Sequence, residues 1–543
     1  MAYKVLVTDE IDPEGVELLS AAPGIEVHEV PTLPRDELLR RIADYDAIVG
    51  RSATHISADL LHAAKRLRVI GRAGVGIDNI AVETATELGI AVINAPAGNT
   101  IAVAELFFGV VISLKRMLPL AYESMHSGTW ARSALLGTEL NGKTLGIVGL
   151  GRIGGEVSAR ARAFGMSVVA FDPYISESRF VSLHVRREAS LEALLDESDV
   201  VTVHTPLTEE TFGMIGEREL KRLSQSAIVV NMARGGIVNE EALVDALESG
   251  RLAGGAIDAF TKEPLAPDSR LRQVKNLFLT PHIGAATAEA QRNVAVDACA
   301  AVRDALLTGE LSRSLNAANG EPGRWTDLAA ARTLVRRAAA IGRAVLASQG
   351  SSAVGRIEVR GGASVAGSRD ALVTAAALGA LDAVVENDRL NLINARTMAE
   401  ERGIELSFTV TSETERSGAY ALEVRLTGGL KDITVGGVAY GGDADGQRDF
   451  RITRIGAFLV DVFPRETLLI LTNHDVPGVI GRVGTVLGDA GVNIAEYHQA
   501  RLAQGGEALA AVSLDGQLPA AIRQELLALP DVISATAVTF RGQ

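Results

Sequence analysis

Short apolar runs alternate with stretches of helical periodicity along the first 316 residues. Runs at 4–8, 46–50, 69–73 and 91–94 read as strands, and 34–43, 58–65 and 79–88 as amphipathic helices. Strands joined through crossover helices lie parallel and bury both faces, so this alternation predicts a covered parallel sheet. A long, mostly apolar helix is predicted over 99–117. The alternation then restarts, with six strands at 144–149, 167–172, 199–204, 227–231, 253–258 and 277–280. Six such strands match a doubly wound dinucleotide-binding fold. A further helix is predicted over 288–307, and 320–325 read as a linker. Residues 326–460 mix helices with alternating strands at 406–410, 419–426 and 435–440. From 466 to 540 the order is strand, helix, strand, strand, helix, strand, which is ferredoxin-like.

A chain of 543 residues exceeds one hydrophobic core and implies several domains. The net charge of −14 argues against a general surface for nucleic acid or anionic membrane, since both need clustered positive charge. Any anionic substrate has to be gripped by a few local arginines. The single cysteine, Cys299, rules out an internal disulfide and a cysteine metal cluster, so no metal is expected and a reducing, cytoplasmic setting fits. The start reads as a first strand rather than a leader, and no apolar run is long enough to span a membrane.

Residues 149–154 read Gly149-Leu150-Gly151-Arg152-Ile153-Gly154, between an apolar strand and a helix. In that setting Gly149 makes the tight turn, Gly151 lets backbone approach a pyrophosphate, and Gly154 lets helix and strand pack closely. The next strand ends in Asp172, 18 residues after Gly154. A carboxylate there accepts from ribose hydroxyls and repels a 2′-phosphate, which favours NAD over NADP.

Three segments follow the later strands: 229–236 with Arg234, 256–264 with Asp258 and Glu263, and 279–285 with His282. Ligands of open α/β sheets bind beyond such strand ends. Hydride transfer from a 2-hydroxy acid needs a group to take the hydroxyl proton, and histidine suits that role near neutral pH. It needs a cation for the substrate carboxylate, which the planar fork of arginine provides. A carboxylate beside the histidine holds its orientation. His282, Arg234 and Glu263 fill these three roles. Arg51 follows one strand and Arg72 ends the next, so both can face anions in the crevice.

Over 1–316 these segments resemble the D-isomer-specific 2-hydroxyacid dehydrogenase family. The resemblance implies Arg234, Glu263 and His282 as the catalytic set. It places Arg152, Ile153, Asp172, Thr205, Met232, Ala233, Arg234, Asp258, His282, Gly284 and Ala285 on NAD, with the 149–154 turn. It also implies a doubly wound cofactor domain (99–286) inserted in a flavodoxin-like substrate domain (1–98 with 287–316). Within the family, the segments at 50–54 and 71–79 are similar to those of members acting on 3-phosphoglycerate. Arg51, Ser52, Arg72, Gly74, Val75 and Gly76 would then bind that substrate with Arg234 and His282. The segment Gly128-Thr129-Trp130-Ala131-Arg132 is similar to one that forms a dimer contact, so a homodimer or homotetramer is implied, with Arg132 reaching towards a neighbouring subunit.

Residues 461–543 resemble an ACT domain, and 317–460 the intervening domain of long family members. In related enzymes the positions of Asn473, Asp475 and Asn493 hold a serine effector, although Val476 stands where arginine is frequent. The function implied is NAD-dependent oxidation of 3-phospho-D-glycerate to 3-phosphohydroxypyruvate, at the start of serine synthesis. Two alternatives stand beside it: a glyoxylate or hydroxypyruvate reductase of the same family, and a non-enzymatic NAD-sensing scaffold. The extension over 317–543 counts against both.

Overall fold

A computed structural model describes residues 2–318, 328–351, 353–382, 389–412, 419–440 and 450–540. The linker expected at 320–325 lies outside these residues. The described strands form four sheets.

The first sheet holds five parallel strands, in spatial order Ile25–Glu29, Tyr3–Val7, Ala47–Gly50, Val69–Arg72, Ala91–Asn94. In chain order this is 2-1-3-4-5, the flavodoxin-like arrangement. Ile25–Glu29 and the helix Pro13–Ser20 were not among the expected elements. That strand lies on the sheet edge and is only partly covered, so it lacks a continuous apolar run. The helix predicted over 79–88 forms only at Val82–Glu87, because Asn79 is engaged elsewhere and Ile80 bridges Ile56.

The second sheet holds seven parallel strands, ordered Leu277–Leu279, Gly254–Ile257, Ile228–Asn231, Val200–Val203, Thr144–Val148, Ser167–Phe171, Arg186–Arg187. The chain starts mid-sheet at Thr144–Val148, runs outward, then returns to place Val200–Val203 on the other side. The crevice between those two strands is the switch point where doubly wound sheets take ligands. The seventh strand has two exposed residues, both arginine, and so carries no strand signature. The long helix expected over 99–117 forms as the first part of a helical pair, Thr100–Lys115, and a second helix that was not expected, Leu118–His126, follows a left-handed Met117 (φ 50°). The first part packs into the core of the second sheet through Phe107, Phe108 and Val111.

Helix Ala288–Thr308 returns to the first sheet, where Val294, Ala298, Cys299 and Val302 join the core of Val5, Val7 and Val49. The approach is close: a Cβ on Gly15 would lie 2.7 Å from the Ala295 carbonyl carbon, and one on Gly71 would lie 2.5 Å from Val302.

A six-stranded mixed sheet spans Arg356–Val462, with only Arg356–Gly361 and Glu405–Val410 paired in parallel. The last sheet is antiparallel, ordered Ile494–Arg501, Glu507–Leu514, Thr467–His474, Val532–Thr539, with helices Val479–Asp489 and Ala520–Ala528. This is the ferredoxin-like order expected. Leu468, Ile470, Leu509 and Val538 of that sheet share one core with the six-stranded sheet.

Candidate active site

The turn after Thr144–Val148 shows why its glycines are needed. Gly149 sits at φ 93°, and a Cβ there would lie 2.8 Å from the His204 carbonyl oxygen. A Cβ on Gly154 would lie 2.3 Å from the Gly149 carbonyl oxygen, so the helix can only pack this close with glycine. Above Gly151 nothing lies within 4 Å, which leaves the backbone open to a pyrophosphate at the start of helix Arg152–Ala163. Arg152 is exposed there and Ile153 half-buried.

Asp172 closes the other side. Its carboxylate accepts the Leu150 amide at 2.9 Å and the Tyr174 amide at 3.0 Å. One bond to each oxygen leaves each with a free lone pair for ribose hydroxyls. Thr205, after the neighbouring strand, has an enclosed hydroxyl with no partner. These residues fit a dinucleotide: an open glycine, an aimed carboxylate and an unpartnered hydroxyl line one crevice.

The catalytic candidates come from three strand ends held together by short contacts. After Ile228–Asn231, the Asn231 side chain donates to the Arg234 carbonyl (2.8 Å) and accepts the Ala233 amide (3.1 Å), which shapes the Met232–Arg234 turn. The Arg234 guanidinium then reaches across to the first sheet. Its Nε donates to Asp78 at 3.0 Å, and a Cβ on Gly76 would lie 2.2 Å from Nη2. Gly235 packs directly on the Phe260 backbone, where a Cβ would lie 2.0 Å from the carbonyl carbon. The Phe260 amide in turn donates to Glu263 at 3.0 Å.

Glu263 meets His282 Nδ1 with both oxygens, at 2.9 and 2.8 Å. With Nδ1 donating, Nε2 is left as a proton acceptor. His282 itself stands at φ 53°, a left-handed conformation costly for a residue with a Cβ. Buried Asp258 holds it there. Its carboxylate accepts from Thr280 Oγ1 (2.6 Å) and from the amides of Ile283 and Gly284 (both 2.8 Å). Asp258, expected on the cofactor, has both carboxylate oxygens engaged in framing the histidine loop, and Ala285 is half-buried just beyond it.

Arg51, Arg72 and Arg234 form a cationic group at the mouth between the two sheets. Burial, then the positive charges of Arg234 and Arg51, push the Arg72 guanidinium down to about 10. Its Nη1 donates to the Ala73 carbonyl at 3.1 Å and its enclosed Nε has no partner. Gly74 (φ 153°) makes room, since a Cβ there would lie 1.5 Å from Arg72 Nη1. Asn94 fixes the adjoining segment by donating to the Val75 carbonyl at 2.6 Å. Three partly buried guanidiniums side by side are electrostatically suited to an anion. Ser52 is exposed beside Arg51.

Asp9, Asp78, Asn79 and Asn231 have no role apparent from the sequence, although the last three stand in segments singled out there. Asp9 carries no local signal, because its partners Arg51 and Thr54 are more than forty residues away.

The three effector candidates are engaged separately. Asn473 is buried and donates to the His474 carbonyl at 2.7 Å, with its Oδ1 unpartnered. Asp475 accepts from Gly505 N (3.2 Å) and Arg501 (3.1 Å), which hold its carboxyl below the usual range. Asn493 donates to Asp515 at 2.6 Å. A separate cavity of about 790 Å³ lies between helix Ala329–Ser348 and strand Val532–Thr539, and none of the candidate residues lines it.

A dinucleotide crevice, a carboxylate-held histidine and an arginine reaching between the two sheets define an NAD-dependent dehydrogenase of hydroxy acids. Residues 108–284 match the family model of the D-isomer specific 2-hydroxyacid dehydrogenase NAD binding domain, and 467–531 match the ACT domain. The chain belongs to the D-isomer-specific 2-hydroxyacid dehydrogenase family, and the relatives it matches over nearly its full length include D-3-phosphoglycerate dehydrogenases. The one from Archaeoglobus fulgidus is 36% identical over 537 residues, 98% of this chain and 99% of the relative. The one from Bacillus subtilis is 37% identical over 539 residues, 99% of each. Among solved structures, TT0316 from Thermus thermophilus (35% identity, TM-score 0.53) covers 57% of this chain and 99% of its own. The NAD+-bound 3-phosphoglycerate dehydrogenase of Entamoeba histolytica (30% identity, TM-score 0.50) covers 58% and 99%.

Proposed function

We propose that this chain oxidises 3-phospho-D-glycerate to 3-phosphohydroxypyruvate with NAD, in the first step of serine synthesis. The observation that carries the reading is the two-oxygen grip of Glu263 on His282 Nδ1, in contact through Phe260 and Gly235 with Arg234. Arg234 fixes the substrate carboxylate and polarises the C2 oxygen. His282 Nε2 takes the C2 hydroxyl proton, and Glu263 stabilises the imidazolium that forms. When bound, the nicotinamide supplies the hydride acceptor. Arg51, Ser52 and Arg72, with the backbone at Gly74, Val75 and Gly76, hold the anionic ends of the substrate. Residues 1–98 with 287–316 act as the substrate domain and close over the cofactor domain (99–286), excluding water.

Residues 317–460 and 461–543 act as intervening and regulatory domains, with serine as the effector near Asn473, Asp475 and Asn493. A homo-oligomer would cover exposed Leu120, Tyr122, Trp130 and Leu136, and a cytoplasmic setting suits the buried thiol of Cys299. Among the described residues no helix is long and apolar enough to cross a membrane.

The test is phosphohydroxypyruvate-dependent NADH oxidation, run with and without serine. Turnover slowed by serine supports the whole reading. Turnover indifferent to serine removes the effector, and activity on glyoxylate in place of the phosphorylated acid moves the chain to the reductases of its family.

A further inference from the structure

The loop that carries Arg51 and Ser52 is held by side chains outside the reacting group. Asp9 follows the first strand and is buried, 7% exposed. Its carboxylate accepts four hydrogen bonds. The amides of Arg51 (2.8 Å) and Thr54 (2.9 Å) point at one oxygen, and the hydroxyls of Thr54 and Thr32 (both 2.7 Å) at the other. Asn79 grips the same loop from its carbonyl side, donating to Arg51 O at 2.9 Å and Thr54 O at 2.7 Å. Residues 51–54 are thus clamped at both ends by a carboxylate and an amide from different loops, while Ser52 and Ala53 between them face solvent.

The clamp is held against backbone preference. Asp9 and Glu10 are consecutive non-glycine residues in the left-handed region, at φ 65° and 52°. Both conformations are disfavoured for residues with a Cβ, and such strain persists where the surroundings over-determine it. Here the turn aims the Asp9 carboxylate back at the loop. The negative charge also faces the cationic group, since Asp9 acts on Arg72 in opposition to Arg51 and Arg234.

We propose that Asp9, with Asn79 as its counterpart, is a positioning residue for the phosphate end of the substrate. It fixes the peptide 51–54 so that Arg51 and Ser52 meet the phosphoryl oxygens in one geometry. The inference rests on the functional reading above. It assigns Asp9 no contact with substrate or cofactor, and predicts an effect confined to phosphorylated substrates.

The experiment compares wild type with Asp9→Asn, using 3-phospho-D-glycerate and its unphosphorylated analogue D-glycerate, with NAD affinity measured separately. The amide keeps the shape but sets an NH2 against the donors that now converge on the carboxylate. Asp9→Asn should raise KM for 3-phospho-D-glycerate about tenfold or more, leave kcat within about twofold, and leave kcat/KM for D-glycerate and the NAD Kd unchanged. Equal loss on both substrates, or no loss on either, overturns the proposal and makes Asp9 a fold clamp only. If Asp9→Asn does not fold, Asn79→Ala takes its place in the same comparison, with the same results expected and the same results overturning the proposal. Failure of both variants to fold also overturns it. A wild type that does not prefer the phosphorylated acid would instead sink the functional reading, independently of Asp9.

Discussion

Glu263 holds His282 by both carboxylate oxygens, 2.9 and 2.8 Å from Nδ1, while the Phe260 amide pins one of those oxygens at 3.0 Å. The ring is thus presented with Nε2 free and with one orientation. Replacing Glu263 by Gln keeps the shape but removes the charge that, in the proposed mechanism, stabilises the imidazolium. We expect kcat to fall roughly 10- to 100-fold with KM changed little, as removing a charge-assisted bond of about 1.5–3 kcal/mol predicts. Steady-state kinetics on the purified variant checks this.

The glycines of the nucleotide turn should separate affinity from stability. Gly151→Ala adds a methyl where nothing lies within 4 Å, at the spot a pyrophosphate would occupy. NAD affinity should drop at least ~10-fold while the melting temperature moves by no more than a few degrees. Gly149→Ala, at φ 93° against the His204 carbonyl, should instead destabilise the fold by about 1–3 kcal/mol. Calorimetric titration with NAD and thermal unfolding distinguish the two.

Asp172 should set cofactor choice. Asp172→Ser removes the charge that would repel a 2′-phosphate and the acceptor of the ribose hydroxyls. NAD-dependent kcat/KM should fall and the NAD-to-NADP preference should shrink by roughly 10-fold or more. An unchanged preference would mean that another group reads the ribose.

His204 should make stability fall on the acid side. Burial pushes this histidine down to about 4, with an enclosed Nδ1 that has no partner. As pH drops below about 6.5, the unfolded chain gains a proton at this position that the folded protein refuses. Folding free energy is then lost progressively towards pH 4, on the order of 1–2 kcal/mol by pH 5. His204→Leu should show a shallower stability loss than wild type between pH 7 and 5 in urea titrations.

Residues 389–394 tie the six-stranded unit to the first sheet. Asn391 donates to Gly89 O at 2.7 Å, and Ile393 is buried in the core formed with Val5, Val7 and Val302. Ile393→Ala should cost about 2–5 kcal/mol. Hydrogen exchange should then rise in the first sheet while the Thr144–Val148 strand stays protected.

Much of the candidate site's frame was legible in the sequence because it is local. The strand, the glycine turn and Asp172 lie within thirty residues, and Arg234, Glu263 and His282 each follow an apolar strand. The unread parts depend on distant partners or on weak patterns. Asp9 acquires meaning only when the loop after Ala47–Gly50 folds beside it. The edge strands Ile25–Glu29 and Arg186–Arg187 face solvent and so lack apolar runs. The break after Lys115 shows only as a left-handed Met117, which composition does not announce. The effector candidates were legible as a motif, but their pairing with Arg501, Gly505 and Asp515 was not.

The role of His282 as the proton acceptor is tested most directly by the initial rate of NADH formation from 3-phospho-D-glycerate at saturating NAD, for wild type and His282→Ala side by side. Wild type should turn over, and the variant should lose at least about 100-fold while still binding NAD. Turnover retained by the variant, or absent from a wild type that binds NAD and 3-phospho-D-glycerate, would contradict that role.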